Sequence, residues 1–191
     1  MGKGRLEAFS DGVIAIIITI MVLELRIPHG TGIADLIPVM PVLLSYMLSF
    51  LLVGIYWNNH HHMLHAAHHV NGRILWANMH LLFWLSLVPF TTGWIGENDF
   101  AATPVAVYGA VQLMAAVAYL ILALALVAVE GRESKLAIAL GKDRKGKISV
   151  ALYVIAIPLA FLSPWIALAL YVTVAVIWLI PDRRIEKIVG T

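Results

Sequence analysis

Apolar residues run in six blocks, at about 6–25, 36–57, 74–94, 101–129, 148–162 and 165–180. A helix needs about 20 largely apolar residues to cross a bilayer. The pattern therefore predicts an all-α integral membrane protein with six spans, one transmembrane domain over residues 1–191. The last two blocks are short and meet at Ser163-Pro164, where proline stops one helix and starts the next. A re-entrant hairpin is the alternative for this pair. Two full spans fit better, because both blocks are uninterrupted and end near charged segments.

The first block does not read like the others. "RLEAFSD" (Arg5 to Asp11) is polar, whereas the stretch from Val13 to Leu23 is apolar except for Thr19. On a helical wheel with Ile16 at zero, Thr19 falls at about 300°, Gly12 at about 320°, Leu23 at about 340° and Ile20 at about 40°. These residues share one face. Glu7 lies at about 180° and Asp11 at about 220°, on the back. If the Ile16 face lines a pathway, Asp11 does not. An ionisable group inside a span is costly unless paired, but Ser10 and Asp11 could equally serve as an N-terminal helix cap. Spacing alone leaves both roles open.

Composition agrees with the spans. The chain is 61% hydrophobic and 13% charged, with mean hydropathy +0.90; soluble domains are about 45–50% apolar and about 25% charged. It has no cysteine, hence no disulfide framework, thiolate metal site or cysteine nucleophile. The first apolar run is too long for a signal peptide, and Leu6 stands where a myristoylation motif wants Ser or Thr.

Lysine and arginine collect on the cytoplasmic side of membrane proteins. With the N-terminus inside, Lys3, Arg5, Arg73, Arg132, Lys135, Lys142, Arg144, Lys145, Lys147, Arg183, Arg184 and Lys187 all face the cytoplasm, leaving only Arg26 outside. Both termini are therefore expected in the cytoplasm. The net charge of +2 reflects topology and implies no nucleic-acid partner. Residues 131–147 form the one real linker, a basic loop that can touch anionic lipid.

Partners for the Asp11 cluster are expected at the same depth. The end of span two offers Trp57, Asn58, Asn59, His60, His61 and His62; the start of span three offers Asn71, Arg73, Trp76, Asn78 and His80. Asn78 lies within an apolar span, where a polar side chain must find a partner.

Arg5, Phe9, Ser10 and Asp11 form R-x-x-x-F-S-D at the head of a first membrane helix. With "AIIITIMVLEL", "YWNNHH" and "SLVPFTT" further on, the first half of the chain resembles the transmembrane protein 175 family of potassium-permeable channels. The second half is similar mainly in span count. The resemblance implies a homotetramer whose four first helices line a central pore in the lipid bilayer, passing potassium and other monovalent cations without a cofactor. It implies an apolar constriction at Ile16, a hydroxyl layer at Thr19 that contributes to selectivity, and a second apolar ring at Leu23. Gly12 and Ile20 would flank the path. Arg5, Phe9, Ser10, Asp11, Trp57, Asn58, His60, Asn78 and His80 would anchor the helix from behind. At a rise of 1.5 Å per residue, Ile16 sits about 7.5 Å past Asp11 and Thr19 roughly 4.5 Å deeper.

Two further patterns invite other functions. "TTGWIG" (Thr91 to Gly96) loosely resembles a potassium selectivity filter, but it closes a complete span and is expected to be an interfacial turn with Trp94 at the membrane surface. "HAAHH" (His65 to His69) resembles one box of membrane di-iron enzymes, and His61, His65 and His68 or His69 would share a helical face able to hold one metal ion. Such enzymes draw histidines from several boxes; here there is one, with no carboxylate beside it in the sequence. A solvated helix end, or a pH-responsive patch in the His60–His69 stretch, fits better. A secondary transporter would need inverted repeats and broken midplane helices, and no such repeat is evident.

Overall fold

The computed structural model describes residues 2–131, 133–134, 137–138, 141 and 144–179, and the described residues contain no strand. Arg132, Lys135, Lys142, Arg183, Arg184 and Lys187, used above for orientation, lie outside them, as does Ile180, the expected end of the last span.

Helix α1 is Lys3–Leu23. A short 3₁₀ segment, Ile33–Val39, leads into α2, Met40–His65. The Asp35 carboxylate steadies that segment by accepting the Gly32 N–H at 2.9 Å. Asn71 caps α3, Gly72–Ser86, by accepting the Ile74 N–H at 3.0 Å. Helix α4 is Val88–Glu97. The sequence pattern predicts one span across α3 and α4; the two form one stretch of 26 residues, Gly72–Glu97, interrupted only at Leu87. Pro89 has no N–H to offer the Leu85 carbonyl, so the ladder tightens there, and the Leu87 N–H turns to Trp84 O at 3.2 Å.

Helix α5, Ala102–Glu130, is the longest at 29 residues. It stops at Gly131, whose φ of 92° favours glycine. Helices α6, Arg144–Leu159, and α7, Pro164–Leu179, have 16 residues each. The Ser163-Pro164 boundary falls where the sequence places it.

Among the described residues four helical stretches are long and apolar enough to cross a membrane: Lys3–Leu23, Ile33–His65, Gly72–Glu97 and Ala102–Glu130. Within the described residues α6 and α7 extend about 24 Å each. The first turn of α6 also carries Arg144, Lys145 and Lys147.

The bundle has two cores. One joins α1 to α2, α3, α4 and α5 through Ile14, Ile17, Leu64, Leu81, Val88 and Leu122; the other joins α2, α4 and α5 to α6 and α7 through Leu52, Ile95, Tyr108, Tyr153 and Tyr171. Helix α5 lies between, packed on α3, α4, α6 and α7. Gly109 makes that packing possible: a Cβ there would collide with the Tyr171 hydroxyl, which donates to Val105 O at 3.1 Å.

Candidate ion pathway and its supporting network

Helix α1 has two faces. Leu6, Ser10, Ile14, Ile17 and Met21 are buried, an arc of about 80–160° on the same wheel. Ile16 is 59% exposed and Leu23 76%, whereas Ile17, one step round from Ile16, is 3% exposed. Gly12, Thr19 and Ile20 are exposed with Ile16. The free arc of the single chain is therefore the one that carries Gly12, Ile16, Thr19, Ile20 and Leu23. The Thr19 hydroxyl donates to Ala15 O at 2.9 Å. Its proton is held by its own helix, so the oxygen lone pairs are left for whatever lies outside. That is the polarity a cation requires.

The buried arc is pinned by a polar chain. The Ser10 hydroxyl donates to Leu6 O at 2.8 Å. With its proton spent, the Ser10 oxygen can only accept, and it receives Asn78 Nδ2 at 2.9 Å. This orients the amide, so Asn78 Oδ1 faces His60 Nε2 at 2.7 Å. An amide oxygen only accepts, so His60 carries a proton on Nε2 and donates it. Ser10 and Asn78 are fully buried and His60 is 1% exposed. One unbroken network thus ties α1 to α3 and α2.

Asp11 stands outside this chain. It is partly exposed and accepts Trp57 Nε1 at 3.0 Å, a second tie to α2. The wheel explains the split, since Ser10 lies at about 120°, inside the buried arc, and Asp11 at about 220°, beyond it. Of the other expected members, Arg5, Phe9 and Asn58 are exposed. The Arg5 side chain makes no hydrogen bond or ion pair among the described residues; its backbone N–H donates to Gly2 O at 3.1 Å. His80 accepts from Trp84 Nε1 within α3 at 2.9 Å and does not join the network.

Several polar ties escaped sequence reasoning. Thr92 lies within hydrogen-bond distance of Ser49 at 2.7 Å, and Ser49 donates to the Tyr108 hydroxyl at 3.1 Å. This links α4, α2 and α5; the only signal was hydroxyls inside apolar blocks. Lys3 Nζ donates to His65 O at 2.8 Å, and Arg26 pairs with Glu97 at 2.6 Å at the opposite end of α1.

The histidines do not form the expected common face. Helix α2 ends at His65. The His68 and His69 backbone N–H groups instead donate to Glu130 Oε1 at 2.7 and 2.8 Å, so a carboxylate distant in sequence does neighbour the run. His61 stacks between Trp57 and His65, with ring centroids 6.0 and 6.1 Å away. Among the described residues no three or more His, Asp or Glu side chains converge on a possible metal position. The "TTGWIG" stretch lies within α4; it is helical, not the expected turn.

Known proteins match this arrangement. The profile of the family described as "Endosomal/lysosomal potassium channel TMEM175" matches residues 5–89. A potassium channel of Chryseobacterium sp. (strain P1-3) is 57% identical over 187 residues, covering 98% of this chain and 97% of that protein. A potassium channel of Streptomyces collinus is 34% identical over 125 residues, covering 61% of each chain. The crystal structure of a lysosomal potassium-selective channel TMEM175 homolog from Chamaesiphon minutus superposes with a TM-score of 0.81 at 26% identity, covering 94% of this chain and 97% of that one. With identity of that order over nearly its whole length, and R-x-x-x-F-S-D heading the helix whose free face carries Ile16 and Thr19, this chain belongs to the TMEM175 family of potassium channels.

Proposed function

We propose that the protein is a potassium-permeable channel. Four copies set the free faces of their α1 helices around one central path, in the cell membrane, with both termini in the cytoplasm. The observation that carries this is the division of α1, with one arc buried and hydrogen-bonded and the other left open with an aliphatic–hydroxyl–aliphatic order. One helix per chain cannot enclose a path, so the open arc requires further copies.

In this assembly four Ile16 side chains make the narrowest ring, and such a ring blocks ions by expelling water. Thr19 follows about one turn deeper, where its outward lone pairs replace part of the potassium hydration shell. Leu23 forms a second apolar ring at the helix end. Gly12 and Ile20 border the path, one leaving room and the other supporting the constriction. The Ser10–Asn78–His60 chain and the Asp11–Trp57 bond set the rotation of α1 on which these positions depend. Potassium is the permeant ion and no cofactor takes part.

The test is planar-bilayer recording of purified protein under a potassium-to-sodium gradient. Unitary current steps are expected, with Ile16→Asn raising the current because it wets the ring. Ile17→Asn, on the buried face, is expected not to raise it. Equal currents for the wild type and Ile16→Asn would place the constriction elsewhere.

A further inference from the structure

We propose that a cleft between α2, α5, α6 and α7 seats one acyl chain of an anionic phospholipid, with the phosphate at Lys147. The cleft has a volume of ≈ 270 Å³, with aliphatic walls that include Leu52, Ile55, Val150 and Val174. An apolar void of about 150 Å³ stays dry and already takes up benzene, and an empty one deprives its lining of dispersion partners. Hydrocarbon is what a bilayer supplies to fill it.

Chain burial does not choose the lipid, because a tail leaving the bilayer was already in an apolar medium. The polar groups must choose. Lys147 lines the cleft, is exposed, and has no ion-pair partner among the described residues. Arg144, also exposed, precedes it by one turn. Lys3 and Arg73 lie at the same end of the bundle, so an anionic head meets positive potential there. The indole of Trp178 is held as a fixed wall, its N–H donating to Ser149 Oγ at 2.8 Å while Lys145 Nζ lies 5.9 Å from its ring centre.

Deeper in, Tyr153 lines the cleft at 2% exposure, and its hydroxyl has no hydrogen-bond partner among the described residues. It lies about 9 Å along α6 from Lys147. The ester carbonyls of a phospholipid lie on that side of its phosphate and provide the missing acceptor.

The experiment uses full-length protein in phosphatidylcholine vesicles containing lipids with brominated chains, which quench tryptophan on contact. The Trp178 signal is the difference between the wild type and Trp178→Phe. Brominated phosphatidylglycerol is expected to quench it at about a fivefold lower mole fraction than brominated phosphatidylcholine, the ratio that about 1 kcal/mol per lysine implies. Lys147→Gln is expected to erase most of that difference, and Val150→Phe, which fills the cleft without altering charge, to weaken quenching by both lipids. Equal potency of the two lipids on the wild type, a preference unchanged by Lys147→Gln, or quenching unchanged by Val150→Phe would each overturn the proposal.

Discussion

Asn78 and His60 provide the sharpest test of what holds α1 in place. Replacing Asn78 with leucine keeps the branched shape but removes the only partner that His60 Nε2 has among the described residues, a donor in a residue 1% exposed. Leaving such a group unpaired costs about 1–3 kcal/mol. The Ser10 hydroxyl is less affected, since its proton stays on Leu6 O. His60→Leu strands Asn78 Oδ1 at a similar cost. In the double variant neither group remains to be stranded, and two apolar side chains of suitable size meet instead. The double variant should therefore lose little, so that its loss falls short of the summed single losses, about 2–6 kcal/mol, by most of that sum. At roughly 2–4 °C per kcal/mol for a chain of this size, each single variant should lose about 2–12 °C in thermal midpoint. An ordinary hydrogen bond between membrane helices averages only about 0.6 kcal/mol, so a large coupling would come from the orphaned group and not from the bond itself. The assay is the thermal midpoint of the purified protein in one detergent, measured for all four members of the cycle. Strictly additive losses would show that Asn78 and His60 do not act as a pair, and that the rotation of α1 is set elsewhere.

Thr19→Val keeps the shape and removes the oxygen, so the reversal potential between potassium and sodium should move toward zero; an unchanged value in a conducting variant would remove Thr19 from selectivity. Asp11→Ala leaves the Trp57 N–H without its carboxylate and should loosen assembly, seen as loss of the large species in size-exclusion chromatography, while the reversal potential holds. Asp11→Asn keeps an acceptor and should be milder; a well-assembled Asp11→Ala channel without cation preference would instead put Asp11 in the pathway. Glu130→Ala frees the His68 and His69 amides from a charged acceptor worth roughly 1.5–3 kcal/mol. Their hydrogen exchange should then quicken by about tenfold or more, and unchanged exchange would mean that the carboxylate does not order this loop.

The sequence by itself determined the all-helical membrane class, the approximate extent of the apolar helices, the Ser163-Pro164 boundary and the sharing of one α1 face by Gly12, Ile16, Thr19, Ile20 and Leu23; that this face is the open one is a result of packing. These follow from local rules: hydrocarbon thickness sets run length, proline lacks a donor, and each residue turns a helix by about 100°. What a polar side chain touches is not a local property. Ser10 and Asp11 are neighbours in the motif, yet one step of rotation sends Ser10 to Asn78 inside the bundle and Asp11 to Trp57 at its edge. The need for Asn78 to be paired was legible, because an amide in an apolar span must be satisfied; that its partners would be Ser10 and His60 was not. The same holds at the end of α2, where the run of histidines resembles a continuous helical face until Glu130, more than sixty residues away, accepts the amides of His68 and His69. Interhelical depth and rotation decided these pairings, and both are set by how whole helices pack, which no short stretch of sequence encodes.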